Sequence, residues 1–133
     1  MLHILLAEIG PTAMDLAGGL LEAANLTFDV VTDGRSLLDR VNADTNHYDA
    51  IVLAYELPEI SGPECIVFLK QMYRRLPILV LVESLAPDHM RELGQLGIRP
   101  KHIHAKPTDR TTFATWVQQV LSEAPPRRPT DTP

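Results

Sequence analysis

Two charged side chains lie directly after apolar runs of the sequence, and they are the residues most able to do chemistry. Glu8 follows the run 3–7, and Lys106 follows the run 102–105. Because a buried ammonium group that lacks an anion is costly, we expect Glu8 and Lys106 to form an ion pair. The sequence shows no nucleophile–base pair and no complete set of metal ligands, so these residues do not predict an enzyme.

The elements that must position this pair are short apolar runs that alternate with amphipathic stretches. The predicted strands are 3–7, 28–32, 50–55, 78–82 and 102–105, and the predicted helices are 11–25, 35–43, 63–74, a stretch within 84–95, and 109–122. Five strand–helix units in succession predict an α/β fold with a parallel sheet and helices on both faces. Ligands of such sheets bind beyond the carboxyl ends of the strands, where Glu8 and Lys106 are expected.

The predicted helices carry apolar side chains at helical spacing. The core positions that this spacing predicts are Ile66, Val67, Leu69 and Met72 in the third helix, and Phe113, Trp116, Val117, Val120 and Leu121 in the fifth. Cys65, the single cysteine, lies within the third helix and is expected to be a buried thiol.

Composition places the chain among ordinary globular proteins. The 133 residues are 45% hydrophobic and 22% charged, with a net charge of −5, which disfavours direct nucleic-acid binding. We expect one domain over 1–122, followed by a proline-rich disordered tail or linker over 123–133. No apolar run approaches the roughly 18 residues of a membrane span, and the first residues do not form a signal peptide, so the expected location is the cytoplasm.

Several stretches together resemble the receiver domain of bacterial response regulators. They are "ILLAE" (4–8), "DAIVLAYELPEISG" (49–62), "PILVLVES" (77–84) and "AKP" (105–107), within a resemblance that covers residues 1 to about 122. The resemblance implies a flavodoxin-like (βα)5 fold, with a doubly wound five-stranded parallel sheet in the order 2-1-3-4-5. It also implies a role in two-component (phosphorelay) signal transduction.

The resemblance further implies a phosphorylation site built from one side chain at each of several strand ends. An aspartate at the end of the third strand accepts the phosphoryl group, and two acids after the first strand hold Mg²⁺. A hydroxyl after the fourth strand and a lysine after the fifth bind the phosphoryl oxygens, and an aromatic side chain three residues before the lysine changes rotamer. Phosphoryl transfer of this kind depends on positioning and electrostatics.

Most of these groups are missing at the matching positions of this sequence. Glu8, Lys106 and Pro107 match the family pattern. The positions that do not match are Ala54 for the acceptor, Ile9 for the second acid, Val82 for the hydroxyl and Ile103 for the aromatic switch residue. We therefore expect an atypical receiver, or pseudo-receiver, that is not phosphorylated and does not bind Mg²⁺, with aliphatic side chains filling the former phosphate pocket.

An atypical receiver is expected to act through protein contacts alone. The usual interaction face of receivers comprises the fourth helix, the fifth strand and the fifth helix, and the matching residues here are His89, Arg91, Phe113 and Trp116. The expected partner is an effector, a kinase or a second copy of the chain.

Two alternatives stay open. A displaced acid such as Glu56 could accept the phosphoryl group, or the crevice lined by Ile9, Ala54 and Val82 could bind an uncharged small ligand. We expect Glu56 and Glu83 to be loop residues that point to water, and Tyr55 to cover the pocket in part.

Overall fold

The computed structural model describes residues 2–8, 18, 26–43, 48–106 and 110–123. The strands are β1 (Leu2–Ala7), β2 (Leu26–Val31), β3 (Ala50–Ala54), β4 (Ile78–Val82) and β5 (Ile103–Ala105); the helices are α1 (Gly34–Ala43), α2 (Gly62–Met72), α3 (Pro87–Gln95) and α4 (Arg110–Glu123), with a 3₁₀ turn at Pro100–His102. The described helices α1 to α4 correspond to the second to fifth predicted helices. The first predicted helix and most of the predicted tail lie outside the described residues.

The five strands form one parallel sheet in the order β2-β1-β3-β4-β5, which confirms the predicted topology. In the register, Ile4 of β1 pairs with Phe28 on one side and with Ala50 on the other. The central strands β3 and β4 are buried along their whole length, as expected for strands that are covered on both faces.

Alternate residues of each strand point to opposite faces of the sheet, and each face has its own core. Leu5, Ile51 and Val80 lie in the core that α1, α2 and α3 cover. Ile4, Val52 and Leu81 lie in the second core, which α4 covers with Phe113 as its largest side chain. The helices therefore pack on both faces of the sheet, and the strand ends are left to form a crevice.

The loop from β3 to α2 is fixed by the start of the helix. The Ser61 hydroxyl accepts a hydrogen bond from the Glu64 amide at 3.3 Å, and the Glu64 carboxylate accepts one from the Ser61 amide at 3.3 Å. This capping box, with Pro63 in the first turn, satisfies amides that the helix itself leaves unpaired. The loop that follows Ala54 is thus held against the end of β3.

Two core predictions for α2 are wrong. Val67 is 41% exposed and Met72 is 59% exposed, whereas Ile66 and Leu69 are buried as expected. The helix turns Cys65, Ile66 and Leu69 into the core, and Val67 and Met72 lie outside this buried face. Cys65 is a buried free thiol, and burial raises its pKa to about 11.

No helix within the described ranges has the length and apolar character that a membrane crossing requires.

Candidate functional site

The backbone ladder of the sheet extends beyond the strand ends and carries the site residues. The amide of Glu8 donates to the Val31 carbonyl at 3.2 Å, and the amide of Lys106 donates to the Val82 carbonyl at 2.9 Å. The amide of Tyr55 donates to the Leu81 carbonyl at 2.8 Å. Glu8, Tyr55 and Lys106 are therefore positioned by the sheet itself, at its carboxyl edge.

Lys106 lies between two carboxylates. Its Nζ is 3.4 Å from Oε1 of Glu8, which is fully buried, and 2.8 Å from Oε1 of Glu83, which is 70% exposed. The predicted ion pair between Glu8 and Lys106 is present, across 98 residues of sequence. Glu83 is a largely exposed residue after β4, as expected, but its carboxylate also forms the shorter of the two contacts with the ammonium group.

Electrostatics at this pair favour the charged lysine. The side chain of Lys106 is only 20% exposed, and this burial lowers its pKa. Hydrogen bonds and charge attraction from Glu83 and Glu8 oppose that effect, and the pKa of Lys106 is raised overall. The amine is thus held as an ammonium ion that already has carboxylate partners.

The other strand ends present aliphatic side chains. Ala54 ends β3 and Val82 ends β4, and both are buried in the core that α1, α2 and α3 cover. Ile103 is buried at the start of β5. The wall beside Lys106 therefore carries neither a hydroxyl nor a carboxylate at Ala54 or Val82. Ile9 and Pro107, the remaining two predicted site positions, lie outside the described residues.

Gly62 brings the β3–α2 loop against the end of β3. Its amide donates to the Tyr55 carbonyl at 3.0 Å. A Cβ atom at this position would lie 2.5 Å from the carbonyl oxygen of Ala54, closer than real Cβ contacts. Close packing of the loop on the strand therefore requires glycine here.

Tyr55 connects the end of β3 to α3. Its ring stacks on the His89 ring, with centroids 4.3 Å apart, and its hydroxyl donates a hydrogen bond to the Glu92 carboxylate. The hydrogen bond to Glu92, together with burial, raises the pKa of Tyr55 to about 12. Sequence reasoning missed this contact, because neither His89 nor Glu92 lies at a position where spacing alone identifies a partner for Tyr55.

The expected interaction face is only partly available at the surface. Phe113 is fully buried beneath α4, so it belongs to the core and presents no surface to a partner. Arg91 is exposed and pairs with Asp88 at 3.3 Å. His89 is half-buried under Tyr55, and Trp116 stacks on His104 with ring centroids 4.0 Å apart and planes inclined by 8°.

The residues present do not fit a bound Mg²⁺ ion. Magnesium prefers several oxygen ligands in octahedral geometry, whereas the carboxylates of Glu8 and Glu83 both contact Lys106 and Ala54 has no side-chain oxygen. Among the described residues, no group of three or more His, Cys, Asp or Glu side chains is placed to hold a metal ion. Glu56, the candidate displaced acid, is exposed in the loop after β3.

Comparison with known proteins identifies the family. The model of the response regulator receiver domain family matches residues 4–118, so the chain belongs to this family. Receiver domains are signal transduction modules that interact with kinases and effectors and are generally not enzymes, and the chain is a module of this class.

Relatives with known structures share the fold at low sequence identity. The signal receiver domain of the putative response regulator NarL from Mycobacterium tuberculosis superposes with a TM-score of 0.79 at 15% identity, covering 92% of this chain and 97% of that one. The chemotaxis response regulator CheY4 of Vibrio cholerae superposes with a TM-score of 0.76 at 22% identity, covering 91% of this chain and 99% of that one. These likenesses support the flavodoxin-like fold.

A curated relative in sequence is the transcription factor SKN7 of Chaetomium thermophilum. It is 20% identical over 120 residues, which are 90% of this chain but 15% of that protein. The chain thus spans about one seventh of the relative that it matches.

Proposed function

We propose that this receiver transmits its signal without phosphorylation at the end of β3, through protein contacts made by α3, β5 and α4. The observation that carries the proposal is the state of Lys106, whose ammonium group contacts the carboxylates of Glu8 and Glu83 beside an alanine. In this arrangement the lysine has a structural role within the pocket.

The charge balance around Lys106 disfavours a phosphoryl group. Two carboxylates already neutralise the single ammonium ion, and Glu8 is fully buried. A phosphoryl group at the end of β3 would add further negative charge where like charges interact strongly. Since phosphoryl transfer requires a metal or cations to offset this charge, the pocket is poorly suited to the reaction.

The contact of Tyr55 with His89 and Glu92 supports a fixed output surface. It ties the end of β3 to α3 through aromatic stacking and a hydrogen bond, neither of which requires a phosphoryl group. The exposed Arg91 and the half-buried Trp116 then offer a charged and an aromatic group on α3 and α4. Aromatic and arginine side chains are enriched among residues that dominate protein interfaces.

A spectroscopic titration tests the absence of phosphorylation. Beryllofluoride or acetyl phosphate is added with Mg²⁺ while the amide spectrum and the intact mass are recorded. We expect an unchanged spectrum and no phosphoryl adduct. Saturable shifts centred on residues 54–58, or an adduct that disappears in Glu56→Gln, would contradict the proposal and support phosphorylation of a displaced acid.

A second experiment tests the output surface. In a pull-down with the immobilised chain, we expect Arg91→Glu to abolish binding of the protein partners that the unaltered chain binds. The matched control is Arg35→Glu. It reverses the charge of an exposed residue on α1, where Arg35 pairs with Glu59 at 3.6 Å. Equal loss of capture in the two variants would argue against a specific role of α3.

A further inference from the structure

A cavity of about 280 Å³ lies at the end of the molecule opposite to the receiver pocket. It is placed at the amino end of β4 and beside the carboxyl ends of α2 and α3. Ile78 at the cavity and Val82 at the receiver pocket are the two ends of β4, about 13 Å apart along the strand. Basic side chains and buried apolar side chains line the cavity, and they come from α2, from the segments that follow α2 and α3, and from β4 and α4.

The rim of the cavity is strongly basic. Four basic side chains border it, namely Lys70, Arg74, Arg75 and Arg99, and among the residues that the structure describes no aspartate or glutamate lines it. Within the described part of the chain, none of these four cations has a carboxylate within 4.0 Å. A chain with a net charge of −5 thus collects positive charge at one cavity.

The negative carboxyl ends of the two helices offset only part of the positive charge of these four side chains. Cations are favoured at helix carboxyl ends, each of which carries about half a negative charge. The two ends of α2 and α3 therefore offset about one of the four positive charges. Since about three remain, the cavity attracts anions.

The geometry at Gly97 directs one of the cations over the cavity. Gly97 has a φ of +93°, which lets the chain turn sharply after α3. A Cβ atom built at Gly97 would lie 3.8 Å from Nζ of Lys70, so the lysine extends from α2 across this turn. The ammonium group is therefore brought next to the segment that carries Arg99.

The floor of the cavity is apolar. Leu76, Ile78, Ile98 and Val120 are each at most 4% exposed and form this floor. A cationic rim above an apolar floor matches a ligand with an anionic end and an apolar or aromatic body. The volume lies just below the range of roughly 300–1,000 Å³ for small-molecule sites, so it suits a small ligand rather than a nucleic acid.

We propose that this cavity, defined by the cations Lys70, Arg74, Arg75 and Arg99, binds a small organic phosphate. Arginine guanidinium groups bind phosphate oxygens in bidentate geometry, and Lys70 adds a point charge. The apolar body of the ligand rests on Ile78 and Ile98. The site is independent of the receiver pocket, and a ligand there would contact the ends of both α2 and α3.

The test is a titration of the full chain with adenosine diphosphate, followed by amide shifts. We expect saturable shifts at Gly97, Ile98 and Arg99, and a Kd that rises with added sodium chloride. Arg99→Gln and Arg74→Gln should each raise the Kd by about tenfold. Arg91→Gln is the matched control, because it removes an arginine of α3 that does not line the cavity, and its Kd should be unchanged.

Pyrophosphate and a single-stranded oligonucleotide serve as comparison probes. Tighter binding of adenosine diphosphate than of pyrophosphate supports the role of the apolar floor, whereas equal affinities would overturn it. The site is also overturned by an absence of saturable shifts at millimolar adenosine diphosphate, or by an equal loss of affinity in Arg91→Gln. Tighter binding of the oligonucleotide at the same residues would replace the proposal with nucleic-acid binding.

Discussion

The ring of Tyr55 stacks on the ring of His89, with centroids 4.3 Å apart and planes inclined by 26°. Tyr55 directly follows the last residue of β3, and His89 lies in the first turn of α3. The contact therefore joins the end of the central strand to a helix of the expected interaction face. The hydrogen bond from the Tyr55 hydroxyl to Glu92 adds a second attachment one turn further along α3.

Removing the Glu92 charge should change the ionisation of Tyr55. In the folded protein the pKa of Tyr55 is raised from 10.0 to about 12, chiefly by its hydrogen bond to Glu92. We expect Glu92→Gln to bring this pKa back toward 10, as measured by absorbance titration of the phenolate. Tyr55→Phe identifies which signal belongs to Tyr55, and an unchanged pKa in Glu92→Gln would contradict the assigned contact.

The same shift predicts how stability depends on alkaline pH. Because the folded pKa of Tyr55 is raised, its contribution to stability is fully present below pH 10 and is lost as the pH rises through about 12. Urea denaturation at a series of pH values should show a shallower alkaline decline in Tyr55→Phe than in the unaltered chain. Equal declines in both proteins would show that Tyr55 does not contribute.

Substitutions at the two ion pairs of Lys106 should lower the free energy of unfolding by different amounts, because one carboxylate is buried and the other is exposed. Lys106→Met leaves the buried Glu8 carboxylate without this cation, so we expect a loss of about 3–5 kcal/mol in the free energy of unfolding. Glu83→Ala removes an exposed partner and should cost at most about 1 kcal/mol. Urea denaturation measures both, and Glu8→Gln/Lys106→Met should lose less than Lys106→Met alone. A double variant as unstable as Lys106→Met would contradict the pairing of Glu8 with Lys106.

An added methyl group at Gly62 should disturb the end of β3. Because the new Cβ would lie 2.5 Å from the Ala54 carbonyl oxygen, we expect Gly62→Ala to destabilise the protein by about 1–3 kcal/mol. Gly94→Ala is the control: a Cβ there meets nothing within 4 Å beyond its chain neighbours and its own helix backbone, and alanine favours helix over glycine by about 0.5–1 kcal/mol. Thermal unfolding compares the two, and a Gly62→Ala protein as stable as Gly94→Ala would refute the close packing of the loop.

The stack of His104 on Trp116 should report the ionisation of the histidine. Burial and the nearby His102 lower the pKa of His104 from 6.5, while a hydrogen bond with the backbone of Lys101 partly opposes them. We expect the fluorescence of Trp116, the single tryptophan, to fall with acidification, with a midpoint below pH 6.5. His104→Phe keeps the stacking but should abolish the transition.

The sign of this shift also fixes the acid dependence of stability. A histidine with a lowered folded pKa contributes stability that is present above pH 6.5 and is lost as the pH falls through the folded pKa. The free energy of unfolding should therefore decline less between neutral and mildly acidic pH in His104→Phe. If the free energy of unfolding declined equally in His104→Phe and in the unaltered chain, His104 would not be the source of the acid dependence.

Strand ends could be predicted from the sequence because a parallel sheet brings them to one edge. The meeting of Glu8 with Lys106 follows from this rule, as does the burial of Ala54 and Val82. Side chains that approach from loops could not be predicted in the same way. Glu83 lies in the segment after β4, and spacing along the chain does not reveal that its carboxylate contacts Lys106.

Helix faces were predicted less well than strand ends. Apolar spacing placed Val67 and Met72 in the core, but the packing of α2 against one side of the sheet leaves them outside. On α4 the apolar spacing placed Phe113 in the core correctly, whereas its assignment to the interaction face is wrong because the side chain is fully buried. The width of the buried face depends on how neighbouring helices are placed, and this information is not local in sequence.

The buried alanine at the end of β3 has a consequence for how such a protein could be controlled. In the proposed function, no group beside Lys106 changes its covalent state, so phosphorylation does not divide the copies of the chain into active and inactive ones. The strength of the output then scales with the number of copies relative to the partner. Where the receiver pocket itself offers no switch, synthesis and degradation of the chain set the response, as for a subunit that acts through its dosage.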